Sequence, residues 1–163
     1  MKFWHILPNM ILDKIDRRIL AELQSDARIA NVALAERVGL TPSPCLRRVK
    51  RLEAEGVIRR YSTVVDPARV GLGIACFISV TLERNVEQVL EVFEAAISER
   101  PEILECWPVT GEADFLLKIV TADLGAYERL MRDHLLRIPG ISSTKTSFLL
   151  TPVKNETALP LEG

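Results

Sequence analysis

Four cations fall within five residues of this chain: Arg47, Arg48, Lys50 and Arg51, in the segment CLRRVKRLEAE, with Thr41 and Ser43 just ahead of them. Guanidinium groups bind guanine edges bidentately or hold phosphates. A serine beside the free amides of a helix start suits a phosphate as well. No acidic residue stands between positions 43 and 52. The pattern points to nucleic-acid binding, and the plain alternative is a solvated helix surface. Catalysis has far less to draw on. The only histidines are His5 and His134, one near the start of the chain and one in an amphipathic stretch. Cys45, Cys76 and Cys106 are odd in number and show no CxxC spacing, so neither a disulfide framework nor a structural zinc site is expected. No metal and no cofactor are expected, and the thiols are expected reduced.

The basic cluster needs a scaffold. Leu12, Ile15, Ile19 and Leu23 step by three and four, the stripe of an amphipathic helix, and Asp13 and Asp16 lie where carboxylates favour the positive end of the helix dipole. Asn31 is expected to cap a second helix, VALAERV, that Gly39 stops. Thr41 or Ser43 opens the third, where Pro42 and Pro44 are tolerated in the first turn. At about 100° per residue, Leu46, Val49 and Leu52 fall on one arc and Arg47, Arg48, Lys50 and Arg51 on the opposite one. Three short helices with a tight turn before the third form a helix-turn-helix, whose third helix enters the major groove. VIRRYSTVVD then reads as a strand or rudimentary wing carrying Arg59, ended by Asp66-Pro67, and Gly71 and Gly73 mark a hinge.

From Ile74 the pattern changes to strand, helix, strand, strand, helix, strand, with GEAD as the turn between the middle strands. Both helices end on x-Pro-x-Ile, at Arg100–Ile103 and Ile138–Ile141, a faint internal repeat. Two split βαβ units give a ferredoxin-like sandwich with both helices on one face. Phe115, Leu117, Ile119 and Phe148 are expected to make the other face apolar enough that a second copy covers it.

Charge divides along the same line. Residues 1–62 hold 12 Lys/Arg against 7 Asp/Glu, the remainder 9 against 15, within a formal net charge of -1. A basic front can steer toward polyanions. The opening MKFWHILPNMIL is broken by His5, Pro8 and Asn9, and is expected to have neither a proper signal h-region nor enough length to span a bilayer. It reads as an arm, with Met10 an alternative start. The expected organisation is α+β: a winged helix-turn-helix DNA-binding domain with its arm over 1–62, a linker over 63–73, and a ferredoxin-like βαββαβ domain with a C-terminal tail over 74–163.

Taken together, LDKIDRRIL-ELQ-DAR, NVALAERVGLTPSPCLRRVKRLE-EGVI, DP---GLG, VTGEADFLLKI, LLRIPGI and TKTSFLL resemble the Lrp/AsnC, or feast/famine, family over Leu12 to Val153. The resemblance implies a cytoplasmic transcription regulator, not an enzyme. Its partners would be double-stranded DNA, a small-molecule effector such as an amino acid or related metabolite, and copies of itself, in dimers and assemblies such as octamers, with no membrane. It places the effector near the turn Gly111–Asp114, between neighbouring dimers. Backbone amides there would take an α-carboxylate and Asp114 an α-ammonium, with Pro108, Leu124, Ser147, Phe148 and Leu149 as walls. Otherwise, Gly111 only makes the hairpin and Asp114 only caps it. Pro108, Ser147 and Phe148 differ from the leucine-responsive member, so an aromatic or differently shaped ligand fits as well as leucine. Two other readings stay open on the same scaffold: an effector-independent chromosome-organising protein, and an enzyme like the haem-pathway decarboxylases that resemble the family.

Overall fold

The computed structural model describes residues 11–83 and 87–161, with only the backbone of Glu87. The arm over residues 1–9 lies outside the described residues. The chain forms two compact units, Met1–Thr63 together with Lys154–Gly163, and Val64–Val153.

In the first unit, helix α1 (Lys14–Ser25) opens on a capping box. Asp13 Oδ1 accepts from Asp16 N at 2.8 Å, and Asp16 Oδ2 accepts from Asp13 N at 3.3 Å. Such a cap stabilises a helix by about 1 kcal/mol. Helix α2 (Asn31–Val38) starts from Ala30 rather than from Asn31, whose amide instead donates to the carbonyl of Pro42 at 2.8 Å and ties the starts of two helices together. Gly39 ends α2 with φ 75°, a left-handed conformation that costs a residue with a Cβ roughly 1–2 kcal/mol. The turn then delivers Thr41 as N-cap of α3 (Pro42–Ala54). Ile19, Leu20, Leu34, Ala35, Val38, Cys45, Val49 and Leu52 form one buried core, with Val57 and Ile58 packed against it.

Three expectations change here. The buried arc of α3 is Cys45, Val49 and Leu52, while Leu46 is 43% exposed. Cys45 and Val49 are four residues apart and Leu52 completes the second turn, which centres the stripe one position earlier than Leu46 does. VIRRYSTVVD forms no strand: after Ile58 it runs as exposed, unladdered chain, with Val64 80% exposed. An extended segment becomes a strand only by pairing its backbone groups, and no described strand runs beside it. The tail also departs from expectation, because residues 154–163 group with the helix-turn-helix and not with the sheet.

The second unit carries strands β1 (Ile74–Leu82), β2 (Ile103–Pro108), β3 (Phe115–Thr121) and β4 (Ile141–Phe148), with helices α4 (Glu87–Ser98) and α5 (Leu124–Asp133). The sheet order is β2-β3-β1-β4, antiparallel throughout, the ferredoxin-like arrangement. Cys76, Ile78, Val80, Phe115, Leu117 and Ile119 meet Phe93, Ile97, Leu130, Met131 and Leu135 of the helical layer in one core. Each such side chain, fully buried, contributes roughly 1.5–3 kcal/mol. The Phe93 and Phe115 rings pack with centroids 4.8 Å apart.

The bare face is therefore not the one expected. Phe115, Leu117 and Ile119 point to the helices, and so does Phe148, which pairs with Cys76 and stacks edge-on against Tyr127 of α5. Side chains alternate along a strand and register partners share a face. The uncovered face accordingly carries Phe77, Leu116, Trp107 and the ion pair of Lys118 with Glu105 at 3.1 Å.

Gly140, between α5 and β4, has φ 87°, and a Cβ there would overlap the Val89 side chain. Gly140→Ala is expected to lower stability by about 2–4 kcal/mol through strain and overpacking together. A denaturant titration of the two proteins measures it, and an unchanged midpoint contradicts the close approach.

Candidate nucleic-acid interface and effector site

The third helix presents two kinds of cation. Ser43, Arg47 and Lys50 lie opposite the buried arc and are exposed, as is Thr41 in the preceding turn. Neither Arg47 nor Lys50 is in an ion pair among the described residues. Arg59 is exposed a few residues beyond the helix.

Arg48 and Arg51 lie on the flank toward α1. Arg48 Nη1 donates to Asp13 Oδ2 at 2.6 Å and to Asp16 Oδ1 at 2.8 Å, and Arg51 Nη2 donates to Asp16 Oδ2 at 2.6 Å. The Asp16 side chain is 1% exposed, so these arginines are the charges that compensate a buried carboxylate. The Asp16 backbone amide, and then the Arg48 guanidinium, hold the Asp13 carboxyl below its usual value. Asp13 and Asp16 in turn raise Arg48. The four cations expected on one front are thus divided: Arg47 and Lys50 face solvent, whereas Arg48 and Arg51 clamp α3 to α1. The signal was present in the sequence, since Asp13/Asp16 and Arg48/Arg51 share the same three-residue spacing, which puts each pair on one side of its helix.

The positions expected to bind an effector fall into two clusters. Gly111, with φ 122°, and Asp114 occupy the hairpin after Pro108. Asp114 Oδ2 accepts from Leu82 N at 2.8 Å, its own amide donates to Val80 O at 2.9 Å, and Val109 N donates to its carbonyl at 3.0 Å. One carboxylate oxygen thus fastens the hairpin to the end of β1. Ser147, Phe148 and Leu149 lie at the other end of the sheet, beside Phe77, Cys76 and Ala75, and Leu124 starts α5 near Thr121. Phe115 pairs with Val80 and Thr121 with Ile74, six residues apart on one strand. In register with β1, Ser147 is three residues from the level of Phe115 and Leu149 five, so at about 3.3 Å per residue the clusters are offset by roughly 10–20 Å along the strands. A single chain does not bring them together.

All three cysteines are free. Burial raises each thiol, Cys106 to about 11 with help from Glu94, so none is a poised thiolate. His134 caps α5 and contacts the Arg100 guanidinium through Nδ1, not a carboxylate or thiol that it could activate. Among the described residues there is no cluster of three metal-ligating side chains, and no helix is long and apolar enough to cross a membrane.

Residues 75–159 match the profile of the Lrp/AsnC ligand-binding domain, and residues 12–59 that of a winged helix-turn-helix DNA-binding domain. The leucine-responsive regulatory protein of Salmonella typhimurium is 43% identical over 155 residues, covering 95% of this chain and 94% of that one. The chain belongs to the Lrp/AsnC family. Solved Lrp/AsnC-type structures agree. A Neisseria meningitidis transcriptional regulator in complex with L-Met superposes with a TM-score of 0.89 at 43% identity, over 92% of this chain and 97% of that one. An AsnC family regulator of Agrobacterium tumefaciens gives 0.86 at 35% identity, over the same shares. As a member of this family the chain is a DNA-binding transcription regulator with a ligand-binding domain.

Proposed function

We propose that the chain regulates transcription as a homo-oligomer in the cytoplasm, where its DNA partner resides, and that an amino acid or related metabolite tunes its DNA binding or assembly. Ser43, Arg47 and Lys50 contact DNA from α3, with Thr41 and Arg59 on adjoining phosphates. Arg48 and Arg51 act as positioning residues. The observation that carries this reading is the division of charge on α3, with two solvated cations opposite the buried stripe. We read the chain as a binding protein without enzymatic activity, in keeping with its match to a DNA-binding regulator family. A second copy covers Phe77, Leu116 and Trp107, and pairs with the exposed segment around Val64 and Val65. Paired reading heads then meet half-sites about 34 Å apart, or a multiple of that.

The effector pocket, in this reading, forms between copies, with Pro108, Gly111 and Asp114 from one and Leu124, Ser147, Phe148 and Leu149 from another. Their offset of roughly 10–20 Å along the strands of one chain supports it. A thermal-shift screen against the amino acids, including L-methionine and L-leucine, tests it. Binding at a hundred times Kd stabilises by about 2.7 kcal/mol, a shift of several degrees. Asp114→Ala is expected to abolish that shift while leaving basal DNA binding intact, and a full shift in the variant places the pocket elsewhere. An effector-independent DNA organiser is the second reading, favoured by the existing bond from Leu82 N to Asp114. A screen without any shift selects it.

A further inference from the structure

The C-terminal segment lies along α1. The Gln24 side chain pairs with the backbone of Leu159 in both directions: Leu159 N donates to Oε1 at 2.6 Å and Nε2 donates to Leu159 O at 3.2 Å. Seven residues earlier on the same face of α1, Arg17 Nη1 donates to Leu161 O at 3.2 Å. The Leu161 side chain packs on the core of α1, α2 and α3. The tail therefore runs antiparallel to α1. Pro160, between the two contact residues, has no N–H to leave unpaired, and it biases Leu159 toward the extended conformation that a backbone-mimicking amide needs.

We propose that Thr157–Leu161 is an intramolecular strap whose seat is the Arg17–Gln24 face of α1, and that it gives the reading unit a second tether to the ligand-binding domain. Without it the unit hangs on the chain at Thr63 alone; with it the unit is also held at Lys154. The contacts are few and mostly exposed, so the strap is releasable. Its effect is on freedom, not on base contacts. When two reading heads engage one duplex, the second event depends on the effective concentration at which its head is presented, and a loosely tethered head is presented less often. The coupling role rests on the paired-head reading above; the seat itself does not.

Two variants test the proposal in the full assembly: a chain ending at Val153, and Gln24→Ala, which removes both amide bonds while keeping a strong helix former. Hydrogen exchange of α1 amides is expected to speed up by about 10-fold in both. Affinity for a duplex with two half-sites, selected from a random pool by the full-length protein, is expected to fall by about 10-fold, and affinity for a single half-site to stay constant. Unchanged α1 exchange in both variants overturns the seat. Equal losses on one and two half-sites overturn the coupling role, because they mean that the reading surface itself was damaged. A full-length protein that gains nothing from a second half-site overturns the paired heads, and with them the coupling role, while the exchange result still decides the seat.

Discussion

Arg47→Ala is expected to weaken binding to a selected duplex by roughly 5- to 150-fold, the 1–3 kcal/mol that accompanies a lost base contact. Arg47 is the cation most squarely opposite Cys45, Val49 and Leu52, and it has no carboxylate partner among the described residues. Its removal leaves the core untouched. The loss should therefore appear in a mobility-shift titration with no change in the melting curve. Lys50→Ala is the useful comparison, since a phosphate contact weakens all sequences alike and reduces the salt dependence by about one unit of slope. An Arg47→Ala protein with full affinity and full discrimination removes α3 as the reading element.

Asp16→Ala should act the other way round, on stability first. The carboxylate is buried and takes donors from the Asp13 amide, Arg48 and Arg51. Breaking a buried ion pair from one side costs about 3–5 kcal/mol, because the remaining charge loses its compensation. Arg48 and Arg51 both still reach water, so about 3 kcal/mol is the expected loss. Thermal unfolding should show the helix-turn-helix unit melting earlier, and α3 amides should exchange faster. DNA affinity should fall as well, through a misplaced helix, with less loss of base discrimination than Arg47→Ala produces. An unchanged melt contradicts the clamp. The acid limb carries the same sign. The Asp13 carboxyl is held below its usual value of 3.8, so its pairing with Arg48 is fully present above that pH and is lost as the pH falls through the lower folded value.

The helices were readable because their buried faces repeat at the helical period and their ends carry Asp13, Gly39 and Pro42. The order of elements in the sheet domain was readable for the same reason. What escaped was orientation. Leu46 looked core-facing because an arc through it, Val49 and Leu52 is nearly as good as one through Cys45, and a cysteine is easily discounted as a hydrophobe. Phe115, Leu117 and Ile119 alternate correctly, yet alternation says that one face is apolar and not which face meets the helices. Arg48 and Arg51 were legible as cations but not as partners, since pairing across 32 to 35 residues depends on how α3 crosses α1. The division of the residues expected to bind an effector depends on strand register, which sequence pattern specifies only modulo two.

The return of the tail to the first unit has a consequence in time. The reading unit is discontinuous: its last piece is made after the intervening Val64–Val153. At about 5–20 residues per second, those ~90 residues delay it by roughly 5–20 s. A nascent chain thus exposes the three helices well before the segment that lines α1 leaves the ribosome. Full assembly of the reading unit is thereby timed to follow synthesis of the domain that governs it.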